Sequence, residues 1–278
     1  MNKQISLDVR SGLWIATFRN PPINLIDPDT IEELQNLVAS LESDNDVKAI
    51  VFRSADPDFF MAHWDVLADK QRVAAMLPGP TGMHPWIDVL ARLSRAPVVS
   101  IADIRGRARG AGSEFVLACD MRFASLERAI LGQFEVGLGV VPGGNPMARL
   151  AGLMGRGRAL EVVLGADDFT AEVAERYGYI NRALPDAEIE AFVDNFALRL
   201  ASFEKHAIVE SKALMDVVSL PPDAVFPPAL SAFFKSAAHP GTRTRSAALL
   251  ERGLQQRSET EMRLGQVVGE LPASGALQ

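Results

Sequence analysis

Several residue types are scarce in this chain of 278 residues, and each scarcity excludes a class of protein. A single cysteine, Cys119, cannot form an internal disulfide, so a disulfide-stabilised scaffold is excluded and a reducing compartment is favoured. Only four histidines are present, and none forms an H-x-x-x-H pattern or pairs with the cysteine, so no metal site is expected. Apolar runs are broken by Gly, Pro or a charge before the roughly 18 residues that a membrane-spanning helix requires.

Positive charge is also in short supply. With 28 Lys and Arg against 35 Asp and Glu, the formal net charge is −7, which opposes binding to a nucleic-acid backbone. The first ten residues, MNKQISLDVR, contain no apolar run of the kind that an export signal carries. The expectation is a soluble cytoplasmic protein with neither nucleic acid nor membrane among its partners.

The hydrophobic patterns predict an α/β fold. Strands are expected at 5–9 and 13–18, separated by a Ser11-Gly12 turn, and a buried strand at 48–54. Between them, an N-cap at Asp27 and apolar residues spaced by 3.6 positions predict a helix that ends near Ser43. The order ββαβ indicates crossover connections rather than a sandwich.

The later part of the chain is predominantly helical in pattern. Residues 56–86 are rich in Pro and Gly around a helical stretch at 65–77, which is typical of a lid or pocket edge. A helix at 86–95, strands at 98–104 and 121–125, and helices at 113–120 and 147–155 follow. Further helices are predicted at 158–164, 171–177, 186–203, 205–217, 226–236 and 242–264, before an aperiodic tail at 270–278.

A glycine-rich turn stands where a strand gives way to a helix. Gly110, Ala111 and Gly112 place their amides among the unpaired donors of the first helical turn, where the helix dipole favours an anion or an oxyanion. Tight packing of the helix on a sheet also requires small residues, so both interpretations stay open. The G-x-G-x-x-G dinucleotide pattern is not met.

Two carboxylates lie in apolar surroundings near this turn. Glu114 directly follows it, and Glu135 is the single charge in the stretch LGQFEVGLGVV. An apolar neighbourhood raises the pKa of a carboxyl group, which then becomes an acid or base usable near neutral pH. Together with an oxyanion turn, the pair indicates acid/base chemistry beside a carbonyl or thioester, although a helix N-terminal preference or a salt bridge would also account for each residue alone.

Longer segments carry a family resemblance. The run PVVSIADIRGRARGAGSEFVLACDMRFAS, followed by ILGQFEVGLGVVPGG, resembles the enoyl-CoA hydratase/isomerase (crotonase) superfamily. The NPP near residue 20, the KAIVFRS strand and FFMAHWDVL agree with it, so the resemblance covers about residues 5–265. It implies an α/β crotonase-like spiral of ββα units over residues 1–200, with a coenzyme A thioester site, and a helical C-terminal trimerisation region over 201–278.

The resemblance also implies roles for individual residues. The oxyanion amides correspond to Trp64 and Ala111, and the two catalytic glutamates of the hydratases to Glu114 and Glu135. Contacts to substrate or coenzyme A are implied for Ala62, Asp65, Val66 and Gly110. Coenzyme A would arrive as part of the substrate, so no separate cofactor is expected, and the assembly would be a homotrimer or homohexamer in which Phe233 and Phe234 meet a neighbouring subunit.

Departures from the family pattern fall beside the site. His63-Trp64 replaces small residues, so an indole side chain issues from an oxyanion position, and a surface or packing role is favoured for His63. Arg107 and Arg109 lead into the glycine turn, where a solvated or sheet-edge role is favoured over contact with an anionic acyl end or the coenzyme A diphosphate.

The leading functional hypothesis is hydration of the 2,3-double bond of a 2-enoyl-CoA thioester. An isomerase or C–C hydrolase would need only one of the glutamates, and a non-catalytic acyl-CoA binder would need neither. A serine peptidase built on Ser113 is disfavoured because the sequence A-G-S-E-F lacks the G-x-S-x-G pattern.

Overall fold

The chain folds into two β-sheets surrounded by helices, and the computed structural model describes residues 3–272. The strands are β1 (Ile5–Arg10), β2 (Leu13–Phe18), β3 (Ala49–Ser54), β4 (Phe59–Met61), β5 (Val99–Ile104), β6 (Arg107–Arg109), β7 (Met121–Ser125), β8 (Ile130–Gly132), β9 (Asp168–Thr170) and β10 (Arg182–Leu184). The helices are α1 (Pro28–Ser43), α2 (Lys70–Ala75), α3 (Pro85–Arg95), α4 (Ala111–Ala118), α5 (Glu135–Leu138), α6 (Pro146–Met154), α7 (Arg156–Gly165), α8 (Ala171–Tyr177), α9 (Asp186–Ala201), α10 (Lys205–Ser219), α11 (Phe226–Ala237), α12 (Pro240–Glu251), α13 (Glu259–Met262) and α14 (Leu264–Glu270).

The middle of the chain alternates between the two sheets. The larger sheet has the order β1-β2-β3-β5-β7-β10 and is parallel apart from the predicted hairpin of β1 and β2. The smaller sheet has the order β4-β6-β8-β9, with β9 antiparallel to β8. From β3 to β8 the chain therefore visits the two sheets in turn, which is the spiral of ββα units that the resemblance predicts.

Local sequence explains the first helix. The Asp27 side chain accepts a hydrogen bond from the amide of Thr30 at 2.8 Å, and Pro28 occupies the first helical turn, where a missing N–H costs nothing. Apolar side chains on one face of α1 are buried, among them Ile31, Leu34 and Leu41. The predicted N-cap and the predicted end near Ser43 are both confirmed.

The larger sheet is covered on both faces, as parallel sheets generally are. One face and the helices α1, α3, α4, α6 and α7 enclose the main core, which contains Phe18, Phe52 and Phe115 in mutual contact. The other face packs against α9 through Ile189, Val193 and Ala197. This two-sided burial accounts for the near-continuous apolar strands that the sequence shows.

Two predicted helices are corrected. The stretch 242–264 is not one helix but α12, α13 and α14, because Gly253 and Gln255 take positive φ angles of 97° and 67° that end α12. The stretch 65–77 is helical only over α2, where Asp69 caps the amide of Gln71 at 2.8 Å. Short strands such as β4 and β6 were not predicted, since three residues show no periodicity.

Within residues 3–272, no single helix is long and apolar enough to cross a membrane. Helix α10 and the segment Asp223–Ala237, which meet at a bend of 47°, reach that length and composition only as a pair. The predicted aperiodic tail begins at the end of α14 and lies, from residue 273 on, outside the described residues.

Candidate active site

The backbone around Trp64 leaves one amide free of acceptors. Ile26 donates its amide to the carbonyl of His63 at 2.9 Å and accepts from the amide of Asp65 at 2.8 Å, so this bridge uses the residues on either side of Trp64. Among the hydrogen bonds of residues 3–272, the Trp64 amide has no partner. It is therefore available to a ligand, as an oxyanion donor must be.

The second predicted oxyanion amide belongs to Ala111, the first residue of α4, which follows β6. Strands β4 and β6 run parallel, and Arg109 donates its amide to the carbonyl of Ala62 at 3.2 Å. Gly112 fits because a Cβ there would lie 2.0 Å from the carbonyl oxygen of Met61. The N-terminus of α4 is thus seated directly on β4, which confirms the close-packing interpretation of the glycine turn. The oxyanion interpretation stays a prediction.

Glu114 is buried in the first turn of α4, with 4% of its surface exposed. Oε2 accepts from the indole Nε1–H of Trp86 at 2.7 Å, and Oε1 accepts from the amide of Gly144 at 2.8 Å. Burial raises the pKa of Glu114, while these two hydrogen bonds and the nearby charge of Arg149 oppose the rise. Both carboxylate oxygens are therefore held by donors, which suits the ionised form.

Glu135 starts the single turn of α5 and reaches over the N-cap of α4. A Cβ on Gly110, whose φ is +50°, would lie 2.8 Å from Glu135 Oε1. Oε2 is buried without a hydrogen-bond partner among the described residues. Burial and the neighbouring charge of Glu114 raise the pKa of Glu135 well above its usual value, which favours the protonated form.

The two glutamates and the amide of Ala111 therefore lie around the first turn of α4, although they come from separate segments of the chain. The Trp64 amide follows β4, the strand on which α4 is seated. Gly110, the N-cap of α4, leaves no room for a Cβ beside Glu135. Ala111 follows Gly110, and Glu114 lies one turn further along α4. The structure places the two predicted catalytic carboxyl groups beside the glycine turn that carries Ala111. Among the described residues, Glu135 Oε2 is buried and has no hydrogen-bond partner.

Two adjoining cavities lie beside the Trp64 end of this arrangement. One, of about 530 Å³, is lined by Trp64, Asp65 and Val66, by α2 and by His84 and Phe234. The other, of about 400 Å³, shares His84 and Phe234 and extends along α3 and α11. The predicted pocket-edge role of the 56–86 loop is confirmed. The predicted contact residues Asp65 and Val66 line a cavity. Ala62, directly after β4, is buried and lines neither cavity.

His63 does not lie on the surface. Its side chain is buried, with Nε2 2.8 Å from Glu261 Oε1 and Nδ1 2.8 Å from the Trp64 carbonyl oxygen. Burial disfavours the imidazolium, but the attraction and hydrogen bond of Glu261 prevail and raise the pKa of His63. The packing role favoured from the sequence takes the form of a buried ion pair.

The arginines of the turn are also engaged by the protein itself. Arg109 is buried and binds both carboxylate oxygens of Asp168, at 2.6 and 2.7 Å, and the carbonyl of Glu261 at 2.8 Å. Arg107 donates to the carbonyl of Met262 at 3.0 Å. The predicted solvated or sheet-edge role is wrong for Arg109, which is buried on the inner strand β6. These contacts leave no reason to assign either guanidinium to the acyl chain.

Other reactive side chains have structural surroundings. Cys119 is buried, and burial raises the pKa of its thiol far above the usual value, which suppresses the nucleophilic thiolate. Ser113 is hydrogen-bonded to Tyr179 in the core. Across residues 3–272, no three His, Cys, Asp or Glu side chains are arranged to hold a metal ion.

Sequence reasoning missed several residues that hold the site. Trp86 and Gly144 bind Glu114, and Gln255 and Glu261 bind the Trp64 loop. A tryptophan opening an otherwise regular helix and a Gly143-Gly144 pair were the available signals. For Gln255 and Glu261 no local signal exists, because their partners lie 189 to 198 residues away.

Comparison with known proteins identifies the family. The family model for enoyl-CoA hydratase/isomerase matches residues 8–238. The chain belongs to this family and is an enzyme of the crotonase superfamily, whose members act on acyl-CoA thioesters. The resemblance drawn from the sequence motifs and the predicted fold class are both confirmed.

Individual relatives span more than one reaction. The chain is 32% identical over 213 residues to the crotonyl-CoA hydratase of Syntrophomonas wolfei, a match that covers 76% of this chain and 80% of the relative. It is 31% identical over 179 residues to the ethylmalonyl-CoA decarboxylase of Danio rerio, covering 63% and 57%. A solved structure from Streptomyces avermitilis, provisionally described as an enoyl-CoA hydratase, is 42% identical with a TM-score of 0.93 and 98% coverage of both chains.

Proposed function

We propose that the protein is an enoyl-CoA hydratase that adds water across the 2,3-double bond of a 2-enoyl-CoA thioester. The observation that carries the proposal is the presence of two buried glutamates whose carboxyl groups interact, with Glu114 held by two donors and Glu135 left with an oxygen that has no partner among residues 3–272. Hydration requires one group to accept a proton from water and another to give a proton to carbon.

The environments of the two carboxyl groups suggest which one acts as the base and which one as the acid. Glu114, whose oxygens accept from Trp86 and Gly144, is the better base. Glu135, whose pKa burial and the charge of Glu114 raise furthest, is the better acid. Environments that separate two neighbouring pKa values in this way are typical of paired acid/base residues.

The proposed reaction has three proton transfers, the last of which restores the starting protonation of the two glutamates. Glu114 takes a proton from water while the oxygen of that water forms a bond to C3 of the enoyl chain. The electron pair of the double bond moves toward the thioester carbonyl, whose oxygen gains negative charge beside the amides of Trp64 and Ala111. Glu135 gives its proton to C2, and a proton returns from Glu114 to Glu135 to complete the cycle. Preorganised donors at the site of developing charge are often the largest catalytic contribution.

The substrates of the proposed reaction are an acyl-CoA thioester and water. Coenzyme A arrives as the carrier of the acyl chain, and water is the co-substrate. The cavities of about 530 and 400 Å³ beside Trp64 offer room for an acyl chain, and their shared lining of His84 and Phe234 joins them. Burial lowers the pKa of His84, which favours its neutral form where the two cavities join. The larger cavity is also lined by Asp65 and Lys70.

The test is turnover on a panel of 2-enoyl-CoA thioesters of different length and branching, followed through loss of the conjugated absorbance. The variants Glu114→Gln and Glu135→Gln keep the shape of each carboxyl group and remove its proton transfer. Each is expected to lower hydration by about 100-fold or more with thioester binding nearly intact. Glu161→Gln, the same change at an exposed position of α7, is the matched control.

Different outcomes separate the alternatives. No hydration of any panel member, with migration of a double bond or cleavage of a carbon–carbon bond instead, would move the assignment to an isomerase or a C–C hydrolase. Thioester binding without any reaction would make the protein an acyl-CoA binder. Full activity of either glutamine variant would remove that residue from the mechanism.

We also propose a homotrimer or a dimer of trimers. Helix α10 exposes an apolar stripe in which Leu214, Val217 and Val218 are 74%, 83% and 79% exposed. A contiguous exposed apolar surface of this kind is typical of a subunit interface. Of the two phenylalanines predicted to meet a neighbour, Phe233 packs on Gly143 within the subunit, while Phe234 is half exposed at the cavities. Light scattering at micromolar concentration tests the proposal, and a monomer would contradict it.

A further inference from the structure

The segment 255–262, between α12 and α14, is attached by side chains to the chain on both sides of the Trp64 amide. Gln255 accepts from the amide of Val66 at 3.0 Å, and its own amide group donates to Asp65. Glu261 contacts His63 at 2.8 Å. We name residues 255–262 the strap. It holds the residue before Trp64 and the two residues after it.

The His63 contact is built from groups with no access to water. His63 and Glu261 are 1% and 0% exposed, and the two ring nitrogens of His63 face Glu261 and the Trp64 carbonyl. A carbonyl oxygen only accepts, so Nδ1 carries a proton, and Nε2 then completes the imidazolium opposite a carboxylate. This cation fixes the peptide plane that follows Trp64.

The charges around this pair are themselves paired. Glu261 Oε1 also accepts from the amide of Gln255 at 2.6 Å, and the carbonyl of Glu261 accepts from Arg109 at 2.8 Å. The charge of Arg109 is matched by Asp168, and the ring of Phe134 meets the His63 ring edge-on at a centroid distance of 5.2 Å. The strap therefore contacts the β4 end through His63 and the β6 end through Arg109.

These two ends are the segments that lead into the candidate oxyanion amides. We propose that the strap, acting through the buried His63–Glu261 ion pair and through Gln255, positions the Trp64 amide relative to that of Ala111 and so sets the strength of the oxyanion site. His63, Gln255 and Glu261 are positioning residues in this proposal, which rests on the proposed thioester chemistry. A displacement of about 1 Å in a catalytic group can lower a rate by about 100-fold, so such support matters.

The experiment uses two variants of the full-length protein. Glu261→Gln removes the charge that binds His63, and Gln255→Met removes the hydrogen bonds to Asp65 and Val66 while leaving the ion pair in place. If Glu261→Gln does not fold, Gln255→Met carries the test alone. Asp103→Asn is the matched control, because Asp103 is also a buried carboxylate with one oxygen paired, to Arg53 at 2.8 Å, and the other without a partner among the described residues.

The first measurement needs no turnover. Butyryl-CoA labelled with ¹³C at its carbonyl is saturated and cannot be hydrated, and hydrogen bonds to its oxygen lower the carbonyl stretching frequency in the infrared spectrum. The wild type and Asp103→Asn are expected to show the full lowering, and both strap variants a smaller one. The second measurement is hydration kinetics, where kcat is expected to fall about 10-fold to 100-fold in the strap variants with a smaller change in KM.

A rescue variant separates positioning from general destabilisation. In His63→Gln/Glu261→Gln two neutral amides can restore the hydrogen bond, so both readouts should recover part of the loss of Glu261→Gln. If both strap variants show the full infrared lowering and an unchanged kcat, the inference about the strap is overturned and the proposed function is not affected. A wild type that binds butyryl-CoA without any lowering, or does not bind it, would overturn the proposed function and the inference with it.

Discussion

The indole Nε1–H of Trp86 donates to Oε2 of Glu114 across 2.7 Å, inside the contact between α3 and α4. The donor is buried with its acceptor, so the bond is shielded from competing water. It favours the charged form of Glu114 and orients the carboxyl group toward the site. The orientation and charge of the proposed base on α4 therefore depend on a residue of α3.

Replacing Trp86 by Phe keeps the ring and removes the donor. Because the lost hydrogen bond lowers the pKa of Glu114, that pKa should rise, and the acid limb of kcat/KM against pH should move to higher pH. The pH profile of the variant on one enoyl-CoA thioester checks this. Trp14→Phe, a change of the same size on β2, is the control and should leave the limb in place.

Gly144→Ala should displace the same carboxyl group by a steric clash. An added Cβ would lie 2.2 Å from Glu114 Oε2 and 2.4 Å from its Cδ, so the carboxyl group must leave its position. Hydration is expected to fall by about 100-fold, the range for a misplaced catalytic group. Gly152→Ala on α6, where a Cβ meets nothing within 4 Å, should keep full activity. A Gly144→Ala protein with wild-type kcat would show that Glu114 need not lie where it does.

Trp64→Ala should change substrate choice more than the best rate. The proposed oxyanion donor is a backbone amide, which the substitution retains, while the indole that lines the larger cavity is removed. Longer or branched enoyl chains should gain in relative kcat/KM, by the roughly 1–3 kcal/mol that pocket contacts typically contribute. Rates across the thioester panel measure this. An equal loss on every substrate would instead indicate damage to the amide.

The His63–Glu261 pair makes folding stability depend on pH. The raised pKa of His63 gives a contribution that is complete below its usual value of 6.5 and is lost as the pH rises through the raised pKa. The lowered pKa of Glu261 gives a contribution that is present above 4.5 and is lost as the pH falls. The pair should therefore stabilise the fold most between about pH 4.5 and 6.5.

Denaturant unfolding of the wild type and His63→Gln across about pH 4 to 9 tests that window, since breaking a buried ion pair from one side costs about 3–5 kcal/mol. The difference in the free energy of unfolding should be largest inside the window and should shrink as the pH rises beyond it. His206→Gln, which removes an exposed imidazole from α10, is the control for losing a histidine as such. A difference that grows with pH would contradict the assigned charge state.

Much of this arrangement could be predicted along the chain. The glycine turn before SEFVLACD indicated both a helix N-terminus and free amides, because the first amides of any helix lack a partner within it and small residues leave them accessible. The isolated charges Glu114 and Glu135 stood out because a carboxyl group in an apolar run must be paired or functional. The break in the predicted helix 242–264 could not be predicted from the sequence. Gln255 adopts a left-handed conformation there, and glutamine has no preference for that conformation.

What the sequence by itself determined are the features that depend on neighbours along the chain: the helix caps, the apolar strands and the motifs that mark the family. Tertiary structure alone decided how the site is held. Trp86 meets Glu114 across 28 residues and His63 meets Glu261 across 198, and neither pair shows a periodicity or spacing that could reveal it. The physical reason is that burial removes water, so each polar group must find a partner wherever the fold places one, and that place is set by packing rather than by sequence distance.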